Sequence, residues 1–131
     1  KPISPAIKLL KMLKNFNVKL FLITSDTKQN AEETIRYLNI KNYFDDVIGG
    51  DSGFGDKRSG NSCRYLFKKL NLNNKKVISI GDAPVDNEMA INGKLKASIL
   101  VESGQIDIKI LSKFSKNCIS DLSEIRIEAS S

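Results

Sequence analysis

The chain has 131 residues, the size of one ordinary domain, and its 40% apolar and 27% charged residues with only 8 Gly and 3 Pro exclude collagen-like and low-complexity classes. It contains no His, which removes Ser-His-Asp triads, Cys-His dyads, HExxH zinc sites and imidazole bases together, so any chemistry must run on Asp, Glu, Lys, Thr or Ser. The net charge of +6 comes mostly from Lys. Lys8, Lys11 and Lys14 recur along one expected helix face and the aromatic residues are not interleaved with basic ones as stacking platforms. The expectation is therefore a solvated, solubilising face and no nucleic-acid partner. Cys63 and Cys118 are far apart and form no C-x-x-C pair, so both are expected as reduced, buried small hydrophobes. No run approaches the roughly 18 to 20 apolar residues of a membrane span. No membrane partner and a cytoplasmic location are the resulting expectations.

In chain order, Ser4-Pro5 reads as an N-cap followed by Pro at the first helical position, opening a helix to about Asn15 that carries Ile7, Leu10 and Leu13 at helical spacing. The apolar run Lys19 to Thr24 predicts a buried parallel strand that stops at the polar cluster Ser25-Asp26-Thr27. A second helix is expected from about Lys28 to Leu38, with Ala31, Thr34, Ile35 and Leu38 on one face. Asp46 to Ile48 is a short strand candidate, followed by Gly49-Gly50 and the loop Asp51 to Asp56. A third helix, about Ser59 to Leu70, presents Cys63, Leu66, Phe67 and Leu70 and ends in an Asn-rich turn.

Lys76 to Ile80 is the next apolar strand. It ends at Gly81-Asp82-Ala83-Pro84-Val85-Asp86, before a short helix from Asn87 to Ile91 and a strand from Ala97 to Val101. Pro84 places Asp82 and Asp86 on a loop leading into that helix rather than on a helix face. Ile106 to Leu111 reads as helical, Asn117 to Ile119 as a short strand, and Asp121 to Glu124 as a capping-box-like start. With no repeat or linker apparent, residues 1–131 are expected to form one α/β domain. Strands alternating with helices imply a mainly parallel sheet with helices on both faces, and ligands in such sheets sit beyond the carboxyl ends of the strands.

Three polar groups fall where that rule puts a ligand: Thr24-Ser25-Asp26, Lys57, and the Asp82 to Asp86 loop. Taken singly, each has an ordinary structural role, as a strand-ending turn or helix cap, a solvated loop charge, and a turn with an N-cap. Together they form a chemical set. A hydroxyl with backbone N–H groups can hold phosphate oxygens, a Lys can neutralise them, and paired carboxylates suit a hard divalent ion such as Mg²⁺.

Over about residues 2 to 128 the sequence resembles the haloacid dehalogenase-like superfamily of hydrolases, and within it the phosphoglycolate-phosphatase-like subgroup. The strand ending in Thr24 resembles the family's second motif, Lys57 its motif III lysine, and Gly81-Asp82-Ala83-Pro84-Val85-Asp86 its GDxxxD motif IV. One helix, one turn and one strand separate Lys57 from Asp82, as in the family. The resemblance implies a Rossmann-like three-layer α/β/α sandwich with a mainly parallel sheet. It also implies that Thr24 hydrogen-bonds the transferring phosphoryl group, with Ser25 beside it, that Lys57 neutralises the phosphate and the nucleophile, and that Asp82 and Asp86 bind Mg²⁺. Arg58 stands where Pro often follows the family's lysine.

The family's first motif, a strand ending in DxDx(T/V), supplies the nucleophilic and acid/base aspartates, and no D-x-D occurs in these 131 residues. The core is thus expected to lack its motif I strand and any cap domain, with the nucleophile lying outside this chain. The implied function is Mg²⁺-dependent hydrolysis of a small phosphate monoester through an aspartyl-phosphate in the complete protein, this chain alone being inactive. The alternatives are a catalytically inactive haloacid dehalogenase-like binding domain and the phosphorylation domain of a transport ATPase.

Overall fold

The computed structural model describes residues 4–102 and 117–125; the helix expected over 106–111 lies outside the described residues. The architecture is α/β with every strand pair among the described residues parallel, the Rossmann-like class read from the sequence. The contacts divide the described residues into two compact units, one of residues 4–52 with 122–125 and one of residues 53–102 with 117–121.

The first unit opens with α1, Pro5–Asn15, capped by the Ser4 hydroxyl, which accepts from Ile7 N at 3.3 Å. Strand β1, Phe21–Ile23, pairs in parallel with β2, Asp46–Ile48, so that Leu22 faces Val47 in register. The crossover between them is α2, Lys28–Tyr37, whose cap Thr27 accepts from Asn30 N at 3.1 Å. Ala31 and Ile35 on α2 are buried with Val47, and Leu22, Ile40 and Phe44 pack around them. Thr34, expected on that apolar face, is exposed and its hydroxyl donates to Asn30 O at 2.9 Å, a bond its own helix offers at the preceding turn. Asp45 ties the entry of β1 to α1, accepting from Leu20 N at 2.7 Å and Lys14 Nζ at 2.9 Å. Burial pushes the Asp45 carboxyl up, but the Lys14 ammonium and the Leu20 N–H outweigh it and hold the group below its ordinary value.

In the second unit, α3 spans Asn61–Leu70, and β3, Ile78–Gly81, pairs with β4, Ala97–Val101, which in turn pairs with β5, Cys118–Ile119. The register sets Ser79 opposite Ser98, and their hydroxyls meet at 3.2 Å. Helix α4, Pro84–Asn92, forms the crossover and packs on β3 and β4. Cys63, Leu66, Met89, Ala90 and Leu100 are buried. Cys63 is a free thiol and buried as expected, whereas Cys118 is half-buried on a two-residue strand. Burial raises the Cys63 thiol pKa. No described helix is long and apolar enough to cross a membrane.

Among the boundaries that differ from expectation, three bear on the candidate site. The third helix starts at Asn61 because Lys57–Ser59 form a separate 3₁₀ turn and Gly60 follows in the left-handed region at φ 76°. The strand expected from Lys76 starts at Ile78, since the Asn73 side chain accepts from Lys75 N and winds Asn74–Lys76 into a 3₁₀ turn. The fourth helix begins at Pro84 rather than Asn87, so Asp86 sits in its first turn and not on the preceding loop. Proline at the first helical position loses no hydrogen bond and has its φ already set for the helix.

Candidate phosphate and metal site

In the first unit, Thr24 follows β1 and its N–H still reaches Ile48 O at 3.0 Å, extending the pairing by one residue. Its hydroxyl oxygen accepts from Asp26 N at 3.1 Å, which turns the chain sharply out of the strand. Asp26 then accepts from Thr27 N at 2.8 Å and from Asn30 Nδ2 at 3.2 Å. The turn is backed by Gly49-Gly50: Gly50 N donates to Asp26 O at 2.6 Å, and a Cβ on Gly50 would strike the Ser25 carbonyl. Asp51 closes the brace by accepting from Lys28 N at 2.9 Å. The Thr24 hydroxyl uses one acceptor lone pair on the turn and keeps its hydrogen to donate. Ser25 is exposed, and its hydroxyl makes no hydrogen bond among the described residues.

The second unit gathers Lys57, Asp82 and Asp86. Asp86 Oδ2 accepts from Asp82 N at 3.1 Å and Ala83 N at 3.2 Å, while Oδ1 meets Lys57 Nζ at 2.5 Å. Only 9% of the Asp86 side chain and 15% of the Lys57 side chain are exposed. Lys57 is therefore not a solvated loop charge, and Asp86 is both helix cap and counter-ion. Gly81 makes this possible: a Cβ there would overlap the Asp86 carboxylate folded back over it. Asp82, by contrast, is exposed, and its carboxylate has no hydrogen bond or ion pair among the described residues.

The donor set bears on Mg²⁺ directly. Among the described residues no three His, Cys, Asp or Glu side chains gather as a ready metal cluster. Mg²⁺ retains several waters and takes one or two protein carboxylates besides substrate oxygens. The unengaged carboxylate of Asp82 fits such a partial site as one ligand, while both oxygens of Asp86 are already held by Lys57 and two backbone N–H groups.

Neighbouring residues that the motif pattern does not single out shape the lysine turn. Asp56 accepts from Arg58 N at 2.9 Å and pairs with the Arg58 guanidinium at 2.7 Å, which holds the Asp56 carboxyl down at about 2. Arg58 thus reinforces a turn that family members often stiffen with Pro. Asn92 Nδ2 donates to Arg58 O at 2.6 Å, and Arg64 donates to both Asn92 O and Ser59 O at 2.8 Å. Before the turn, Gly53 and Gly55 have positive φ, 92° and 73°, and Phe54 between them packs against the Tyr65 ring at 4.8 Å. That contact anchors the loop by its aromatic side chain.

A sequence model of the haloacid dehalogenase-like hydrolase family matches residues 1–100. A phosphoglycolate phosphatase of Neisseria gonorrhoeae is 28% identical over 104 residues, covering 79% of this chain and 44% of that protein. The chain thus spans less than half the length of that relative. Among solved structures, a family IA variant 3 hydrolase of the same superfamily from Entamoeba histolytica superposes with a TM-score of 0.80 at 23% identity, over 94% of this chain and 56% of the other. A predicted phosphoglycolate phosphatase from Haemophilus somnus gives 0.77 at 20% identity, over 94% and 55%. These superpositions establish a shared fold, and the family match runs from α1 into β4, across both the strand ending at Thr24 and the Lys57–Asp86 pair. On that ground the chain belongs to the haloacid dehalogenase-like hydrolase family.

Proposed function

We propose that this chain is the phosphate- and Mg²⁺-binding part of a phosphatase acting on a small phosphate monoester. The carrying observation is the buried Lys57–Asp86 pair beside the unengaged carboxylate of Asp82. Lys57 supplies a fixed positive charge for phosphate oxygens, and Asp86 holds it in place while capping α4. By the family's second motif, Thr24 and the exposed Ser25 are the first unit's candidate phosphate contacts, each with a hydroxyl hydrogen to donate. Asp82, with Asp86 behind it, would hold Mg²⁺, whose contribution is to offset charge on the transferring group.

The nucleophile in this reading is an aspartate outside these 131 residues. Its carboxylate oxygen attacks phosphorus, the substrate's ester oxygen leaves and takes up a proton, and water then cleaves the acyl phosphate to return carboxylate and inorganic phosphate. The relative named a phosphoglycolate phosphatase supports a small phosphorylated substrate.

The test is Mg²⁺-dependent hydrolysis of a generic aryl phosphate by the longer protein containing this chain, beside the 131-residue chain alone. Turnover in the longer protein only, lost on Asp82→Asn, is the expected outcome. Full turnover by the Asp82→Asn protein removes Asp82 from the site. Turnover by the short chain refutes the external nucleophile, and none in either supports a phosphate-binding module without catalysis.

A further inference from the structure

The Lys57 turn and helix α4 are joined by a clasp that includes no proposed phosphate or metal ligand. Asn92, the last residue of α4, donates its side-chain amide to Arg58 O at 2.6 Å, the carbonyl next to Lys57. Arg64 on α3 spans the junction, donating one guanidinium nitrogen to Asn92 O and the other to Ser59 O, both at 2.8 Å, with Asn61 Oδ1 also in reach of the second. Gly60 lies so close to the helix end that a Cβ on it would sit 2.6 Å from Gly93 N. These contacts fix the turn at the C-terminal end of α4, whereas Lys57 Nζ meets Asp86 in the first turn of the same helix. The lysine side chain therefore lies along α4, tethered at its backbone by one end of the helix and at its ammonium by the other.

We infer that Asn92 and Arg64 are positioning residues for Lys57, setting where its ammonium is presented by holding its backbone on α4. The inference deepens the proposed function, since it rests on Lys57 as the phosphate-facing lysine. A neutral side-chain amide and a bidentate guanidinium suit this role, because both bind backbone carbonyls without competing for Lys57 or adding a carboxylate near phosphate.

The test is pulsed acetylation of the full-length protein with acetic anhydride at constant pH, with modification of each lysine read by mass spectrometry. Variants Asn92→Ala and Arg64→Lys are compared with wild type, with exposed Lys68 as internal reference. Because Asn92→Ala could unfold the protein, Arg64→Lys retains the charge while losing the fork, and folding of each is checked by circular dichroism. Lys57 labelling relative to Lys68 should rise about fivefold in a folded variant, the ratio equivalent to losing one neutral hydrogen bond. Unchanged Lys57 labelling in the folded variants overturns the inference, as does an equal rise at every lysine, which would mean general loosening. The labelling does not depend on turnover. A wild-type protein that hydrolyses no phosphate ester refutes the function, while the labelling still decides the clasp.

Discussion

The two units each end a strand in a polar loop, but they stabilise those loops by opposite means. After β1, every bond within the Thr24–Thr27 turn joins residues one to four apart, with Gly49–Asp51 bracing it from the end of the paired strand. After β3, the key bond is an ion pair between Asp86 and a lysine from before α3, removed from solvent and fastened by Asn92 and Arg64. A loop made of local hydrogen bonds can leave hydroxyls facing solvent. A charge held in a fixed place needs a buried counter-charge, and that partner has to come from elsewhere in the chain.

The strongest way to break the second arrangement is at Gly60. Gly60→Ala adds a left-handed non-glycine residue and a Cβ against Gly93 N, and should destabilise the second unit by about 3 kcal/mol in a denaturant titration. A cost near zero would mean that the turn does not press on α4. Lys57→Ala should cost about 2 kcal/mol, less than fully orphaning a buried charge because two backbone N–H groups still hold Asp86.

The corresponding change in the first unit is Asp45→Asn. Asp45 lies partly in solvent, so its loss should cost about 1 kcal/mol at neutral pH, and the cost should depend on pH. The folded-state pKa lies below the ordinary 3.8, so the stabilisation is complete above that value and is lost as pH falls through the lower folded value. Denaturation curves of wild type and Asp45→Asn should therefore converge in acid; a constant gap would assign the effect to packing. Smallest of all, Asp82→Asn should change stability by less than about 0.5 kcal/mol, as expected for an exposed side chain without partners, even though it abolishes the turnover proposed for the full protein. A large loss of stability would make Asp82 a structural residue.

Much of the fold is legible in the sequence because its signals are local. Ser4-Pro5 opens α1 where expected, the run ending at Thr24 yields β1, and the segment after Gly81 turns into a helix. Pro84, read only as a helix breaker, leaves Asp86 outside the helix, although proline at the first helical position favours the opposite. Gly60 gives no signal of its role, because a single glycine in sequence does not disclose whether its backbone is left-handed or pressed on another glycine. Motif order points to Thr24, Ser25, Lys57, Asp82 and Asp86, but not to the division of labour between the aspartates.

By itself the sequence determined the alternation of helices and parallel strands, since periodicity and capping are properties of neighbouring residues, and its ordered motifs carried the family resemblance. Only the tertiary structure decided that Asp86 is engaged by Lys57 and two backbone amides while Asp82 stands free, and that Asn92 and Arg64 hold the lysine turn. Those assignments depend on which side chain is buried and what lies within hydrogen-bond reach of it, and residues distant in the chain settle both.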